Sequence, residues 1–156
     1  MRTVAQLPRE LLDALAAFYE MSVVFVAEGS EIPGSHWGAP EAGLKAGHIY
    51  LQASTPVHSF LHELAHVACM DLGRVRSLDT DAGGTDQEEE AVCYLQATLV
   101  DLLPGYSKDQ LFLDMDAWGY SFRQGSAAAW FREDGSAARQ WLIEHRVAIP
   151  DQRSLK

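Results

Sequence analysis

The sequence predicts an α+β fold, mostly helical, with a short β-sheet placed ahead of its central helix. Three observations predict it. Residues 22–27 and 48–53 are β-branched and aromatic runs, which read as strands. Residues 56–70 and 86–103 follow them with helical apolar spacing and are bounded by Pro and Gly. A length of 156 residues with 47% hydrophobic content suits one domain with a real core, so residues 1–156 read as a single domain.

Taken in order, PRELLDALAAFYE (8–20) is an amphipathic helix, with Pro8 suited to the first turn. SVVFVA (22–27) is the first strand. Residues 29–47, rich in Gly and Pro, read as a long loop. HIYLQA (48–53) is the second strand. Thr55-Pro56 looks like an N-cap followed by proline at the first helical position, and the helix should run from Pro56 to about Met70, with Gly73 as its stop. An Asp/Gly-rich loop leads to a helix from Asp86 to Leu103, ended by Pro104-Gly105. Residues 106–125 are ambiguous, with a DMDAWGYSF segment suited to an aromatic cluster. Residues 126–147 are helical, with a break at Gly135.

The central helix contains His62-Glu63-Leu64-Ala65-His66. Positions i and i+4 share a helix face, so two imidazoles can grip one metal ion while the intervening Glu63 takes a proton from metal-bound water. On a helical projection the two histidines lie about 40° apart, opposite the apolar arc of Phe60, Leu61, Leu64, Val67 and Ala68. Cys69 and His58 share the histidine face. Cys69 reads as a small residue near the site rather than a ligand, and His58 as a rim or substrate-contact residue.

A third protein ligand is needed. The next helix offers Glu88-Glu89-Glu90. With Glu88 as origin, Ala91, Val92, Leu95, Leu99 and Leu102 all fall within about 60° of it, so Glu88 follows the apolar stripe inward, where a carboxylate needs a cation. Glu89 and Glu90 fit a solvated acidic first turn. Two rivals stand beside Glu88 as ligand: a capping box in which it bonds back to the Thr85 amide, and Asp86.

The order of helix, strands, H-E-x-x-H helix and second ligand helix resembles that of zincin metallopeptidases. The H-E-x-x-H-x-x-G-x-x-H form does not fit, because Cys69 and Leu72 stand where that pattern has Gly and His. The gluzincin form, with a downstream Glu, does. Glu88-x-Glu90-Ala91, Tyr94-Leu95 and Leu102-Leu103-Pro104 resemble the ImmA/IrrE-type group, with Val92 where that group has a polar Asn or Asp. The resemblance covers residues 47–104. It implies a small zincin-like domain, Zn2+ on His62, His66 and Glu88, Glu63 as general base, and a peptide or protein substrate. The motif is also similar to that of the elongation factor P hydroxylase family, which uses iron, so Fe2+ or Mn2+ on the same ligands is the alternative, with oxygenase chemistry. A metal-stapled interaction protein is the third reading.

If the chain is a peptidase, a hydrogen-bond donor must meet the oxyanion. Tyr120 and His145 are the candidates, with Tyr94 and Arg123 behind them. The strand at 48–53 would pair with an extended peptide. A formal charge of −10 argues against nucleic acid and anionic membrane surfaces. Two cysteines, Cys69 and Cys93, form no CxxC pair and no disulfide framework, and no signal or spanning segment is evident, which points to the cytoplasm.

Overall fold

The computed structural model describes residues 1–35, 38–70, 75, 85–122 and 124–155. The fold is α+β, as the sequence predicts. Among the described residues there are six helices: α1 (Arg9–Phe18), α2 (Val57–Cys69), α3 (Asp86–Leu99), α4 (Lys108–Trp118), α5 (Ala127–Glu133) and α6 (Gly135–Glu144). Three strands, β1 (Ser22–Phe25), β2 (Gly43–Lys45) and β3 (His48–Leu51), form one sheet in the order β1-β3-β2. β1 runs parallel to β3, with Val23 opposite Ile49, and β2 runs antiparallel to β3, with Leu44 opposite Ile49. No helix among the described residues is long and apolar enough to cross a membrane.

The core lies between the sheet and the helices. Ile49 and Leu51 from β3, Leu12 and Leu15 from α1, and Phe60, Leu61 and Leu64 from α2 are all at most 1% exposed. α3 is sandwiched, packing against α2 on one side and α6 on the other. Its buried residues therefore include Ala91, Val92, Leu95, Ala97 and Leu99, which go well round the helix rather than along one stripe.

Four local expectations change. The long loop at 29–47 contains β2, because Gly34 and Gly43 let two backbones meet there. A Cβ on Gly34, whose φ is +75°, would fall 2.1 Å from the Leu44 carbonyl oxygen, and one on Gly43 would fall 2.0 Å from that of Pro33. Thr55 does not cap α2. Its buried hydroxyl accepts from the Gln52 amide (2.8 Å), closing the turn after β3, while Pro56 takes the N-cap position. The Val57 amide is satisfied by the Arg2 carbonyl (2.9 Å), supplied by the N-terminal segment. α3 ends at Leu99 and continues as a 3₁₀ turn, Val100–Leu102, before Pro104. The ambiguous 106–125 region contains α4, stopped by Gly119 in a left-handed conformation (φ +105°). The expected stop at Gly73 and the Asp/Gly loop through Gly84 lie outside the described residues.

The segment after Gly119 builds the expected aromatic cluster. Tyr120 stacks near Phe122 (6.4 Å between centroids), and Phe122 stacks on Trp130 (5.0 Å). This cluster carries Tyr120 up against α2, where its ring lies 5.6 Å from that of His62.

Gly34→Ala tests the backbone approach that positions β2. Both the positive φ and the close contact oppose a methyl group, so urea unfolding should show a loss of at least about 2 kcal/mol. A variant as stable as the parent contradicts that packing.

Candidate metal centre

α2 displays His62 and His66 one turn apart, as the i, i+4 spacing requires. Their rings meet edge to face, and their Nε2 atoms are 3.2 Å apart. Glu89 reaches them from the first turn of α3. Its Oε1 lies 3.0 Å from His62 Nε2, and its Oε2 lies 3.3 Å from His66 Nε2. Among the described residues, the ligand atoms of His62, His66 and Glu89 converge within 4.8 Å of one another.

Gln96, fully buried two turns further along α3, decides the chemical state of these atoms. Its Nε2 donates to the His58 carbonyl at 2.6 Å. A carbonyl only accepts, which identifies that end of the side chain as the amide nitrogen. The other end, Oε1, lies 3.2 Å from His62 Nδ1 and can only accept in turn. Nδ1 therefore carries the hydrogen, and a neutral His62 presents its Nε2 lone pair to His66 and Glu89.

A lone pair, a second imidazole nitrogen and a carboxylate facing one point repel unless a cation lies among them. A proton is one solution. Burial works against protonating His62, but the Tyr120 phenol, the Cys93 thiol and the Glu89 carboxylate outweigh it and hold its pKa well above the ordinary range. Burial tends to raise the Glu89 pKa, but the two histidines lower it on balance. A metal is the other solution. Tetrahedral ligands about 2.0 Å from one ion are about 3.3 Å apart. The two Nε2 atoms are 3.2 Å apart, near that figure, and with one atom from each residue the three ligand atoms lie within 4.8 Å of one another, a His₂-carboxylate donor set that could hold one metal ion.

Glu63, beside the pair, is half-buried. Burial pushes its carboxyl up to about 7, against the pull of His62 and with Glu41 and Glu89 adding to it. A carboxyl near neutrality can both take and return a proton.

The other expected residues fall as follows. The structure brings Glu89 rather than Glu88 to the histidines. Glu88 is 6% exposed and packs within the helix layers, while its amide donates to the Thr85 hydroxyl at the N-cap. The apolar-stripe criterion fails because α3 is buried on two sides, and the side that meets α2 is the Glu89–Cys93–Gln96 face. The histidine pair sits at the edge of the packing, where Glu89, half-exposed, can reach it.

Tyr120 does reach the site, but its hydroxyl is engaged by Gln96 Nε2 and His58 Nδ1, each at 3.2 Å, so it supports the histidine rather than offering a free donor. His145 is exposed at the end of α6, stacked on Trp141 (3.7 Å) and bonded to that residue's carbonyl, and does not join the cluster. Tyr94 stacks on Phe131 at 4.8 Å as packing. Arg123 lies outside the described residues.

His58 is fully buried rather than on the rim. Burial, with help from His62, lowers its pKa to about 4. Cys69 and Asp86 are not in the converging group. Strand β3, expected to bind peptide, is the central strand, so both of its edges are already paired.

Sequence reasoning missed Glu89 and Gln96. The available signal was polar spacing: Glu89 and Gln96 are seven residues apart, two turns on one face. No family model matches the chain, and neither does any curated protein or solved structure.

Glu89→Gln should weaken zinc binding, measured by chelator competition, by more than about 100-fold, beyond the usual effect of an outer-sphere change. Glu88→Gln should leave it within a few-fold, and the reverse order contradicts the assignment. A second expectation concerns acid stability. His58 is held neutral in the fold, so its contribution is present above its ordinary pKa of 6.5 and is lost as pH falls toward about 4. In chain stripped of metal, His58→Gln should flatten the fall in unfolding free energy across that window, by at most about 3 kcal/mol. Superimposable pH profiles contradict the burial of a neutral imidazole.

Proposed function

We propose that the chain is a zinc-dependent hydrolase acting on peptide bonds, with His62, His66 and Glu89 holding the metal and Glu63 as general base. The observation that carries this reading is the convergence of two imidazole Nε2 atoms and one carboxylate within 4.8 Å, beside a carboxyl raised to about 7. The reading rests on this geometry more than on the zincin resemblance, whose helix pattern aligned Glu88 with the ligand position.

Bound there, the metal supplies a Lewis acid and a water of lowered pKa. His62 and His66 are held in one geometry by the rigid spacing of α2. Glu63 takes a proton from the attacking water and returns it to the departing amine nitrogen. Both transfers need a group that ionises near neutrality, and burial provides it. A substrate that carries positive charge suits the net charge of −10 and the Glu41, Glu63 and Glu89 carboxylates around the site.

Glu63→Gln separates metal binding from chemistry. Zinc should bind at parental affinity, while cleavage of an unfolded protein substrate, followed by mass spectrometry, falls by at least about 100-fold. Cleavage that survives this change contradicts the mechanism.

A further inference from the structure

We propose that Gln96 is the positioning residue of the metal centre: its amide locks His62 into the Nδ1–H tautomer and aims Nε2 at His66 and Glu89. The inference rests on the metal-binding reading above. It assigns the role to a neutral amide two turns beyond the ligand Glu89, where the ligand pattern itself predicts nothing.

The lock follows from counting hydrogen bonds. Gln96 is fully buried, so its polar atoms depend on protein partners. Its two amide hydrogens have two acceptors, the His58 carbonyl at 2.6 Å and the Tyr120 hydroxyl at 3.2 Å. Its oxygen has His62 Nδ1 at 3.2 Å. Rotating the amide by half a turn would set its oxygen against the His58 carbonyl and its NH₂ against His62. Two acceptors would then be in contact at 2.6 Å, so the flipped form is excluded. With the amide fixed, His62 has only one compatible neutral tautomer. The same logic runs one step further. Tyr120 accepts from Gln96 and is left to donate to His58 Nδ1, 3.2 Å away. The chain of bonds thus starts and ends on His58, through its carbonyl and its ring, and encloses the back of His62.

Val92, one turn before Gln96 on α3, is fully buried in the core and offers no acceptor, so the amide of Gln96 supplies it. Because the amide is uncharged, it adds no negative charge to that of the Glu89 carboxylate, which pairs with both histidines.

The test compares the parent with Gln96→Leu and Gln96→Glu. The readouts are zinc affinity by chelator competition and the His62 tautomer by long-range ¹H–¹⁵N NMR, recorded without metal at a pH where the ¹⁵N shifts show a single ring proton. The parent should show Nδ1–H. Gln96→Leu should lose that preference and bind zinc about 10- to 100-fold more weakly. Gln96→Glu keeps an acceptor for His62 and should preserve the Nδ1–H tautomer and zinc binding, while the loss of both donor bonds and the contact of its second oxygen with the His58 carbonyl lower its melting temperature. A residue that only filled space would change melting temperature in both variants without this split in affinity. Parental zinc affinity in Gln96→Leu, or an Nε2–H tautomer in the parent, overturns the proposal. Should Gln96→Leu fail to fold, the parental tautomer and Gln96→Glu decide the matter. A parent that shows Nδ1–H yet binds no zinc would retain the lock and reject the metal reading, so the two failures are distinct.

Discussion

The packing of α2 against α3 is the contact on which the site depends. Each helix alone carries an incomplete set: two imidazoles on α2, a carboxylate and an amide on α3. Glu89 and Gln96 are separated by two turns, a rise of about 10 Å. That span places a carboxylate at one nitrogen of the His62 ring and an amide oxygen at the other. α2 and α3 pack directly against each other, and Leu64 and Ala65 on α2 and Val92 and Leu95 on α3 are all fully buried. The apolar contact supplies the driving force, and the polar residues at its edge fix which atoms meet.

The polar cluster is unusual for the depth at which it lies. His58 and Gln96 are fully buried, and His66 is 6% exposed. His58 Nε2 has no hydrogen-bond partner among the described residues, and burial of the ring, with His62 beside it, disfavours its protonation. Such a cluster gains less from burial than apolar side chains of equal size would. Its arrangement suits the proposed site, in which a cation would stabilise converging acceptors and a raised carboxyl, Glu63, stands beside them.

Much of the fold was legible in the sequence because it was written in local terms. The strands at 22–25 and 48–51, the motif helix, the second long helix and the break near Gly135 all follow from side-chain periodicity and from Pro and Gly punctuation. The missing parts are set at long range. β2 is three residues long and exists because Gly34 and Gly43 let the preceding loop press against it. The start of α2 is satisfied by the Arg2 carbonyl, more than fifty residues away in sequence. Within the site, His62, His66 and Glu63 were readable from spacing alone. The acidic partner was not, since an apolar stripe marks the side of a helix facing the deepest core, whereas α3 has two buried sides and the histidines lie along the one that faces α2. Gln96 looked like an ordinary helical polar residue, and its role emerges from the His58 carbonyl, which only the folded chain brings to it.

The central claim is that His62, His66 and Glu89 hold one metal ion through nitrogen and oxygen alone. X-ray absorption at the zinc edge, on protein equilibrated with one equivalent of zinc, tests it most directly. The account predicts a shell of nitrogen and oxygen atoms at about 2.0–2.1 Å with imidazole scattering from two histidines and no sulfur. A sulfur shell at about 2.3 Å would bring Cys93 or Cys69 into the site as a ligand and contradict the open His₂-Glu centre.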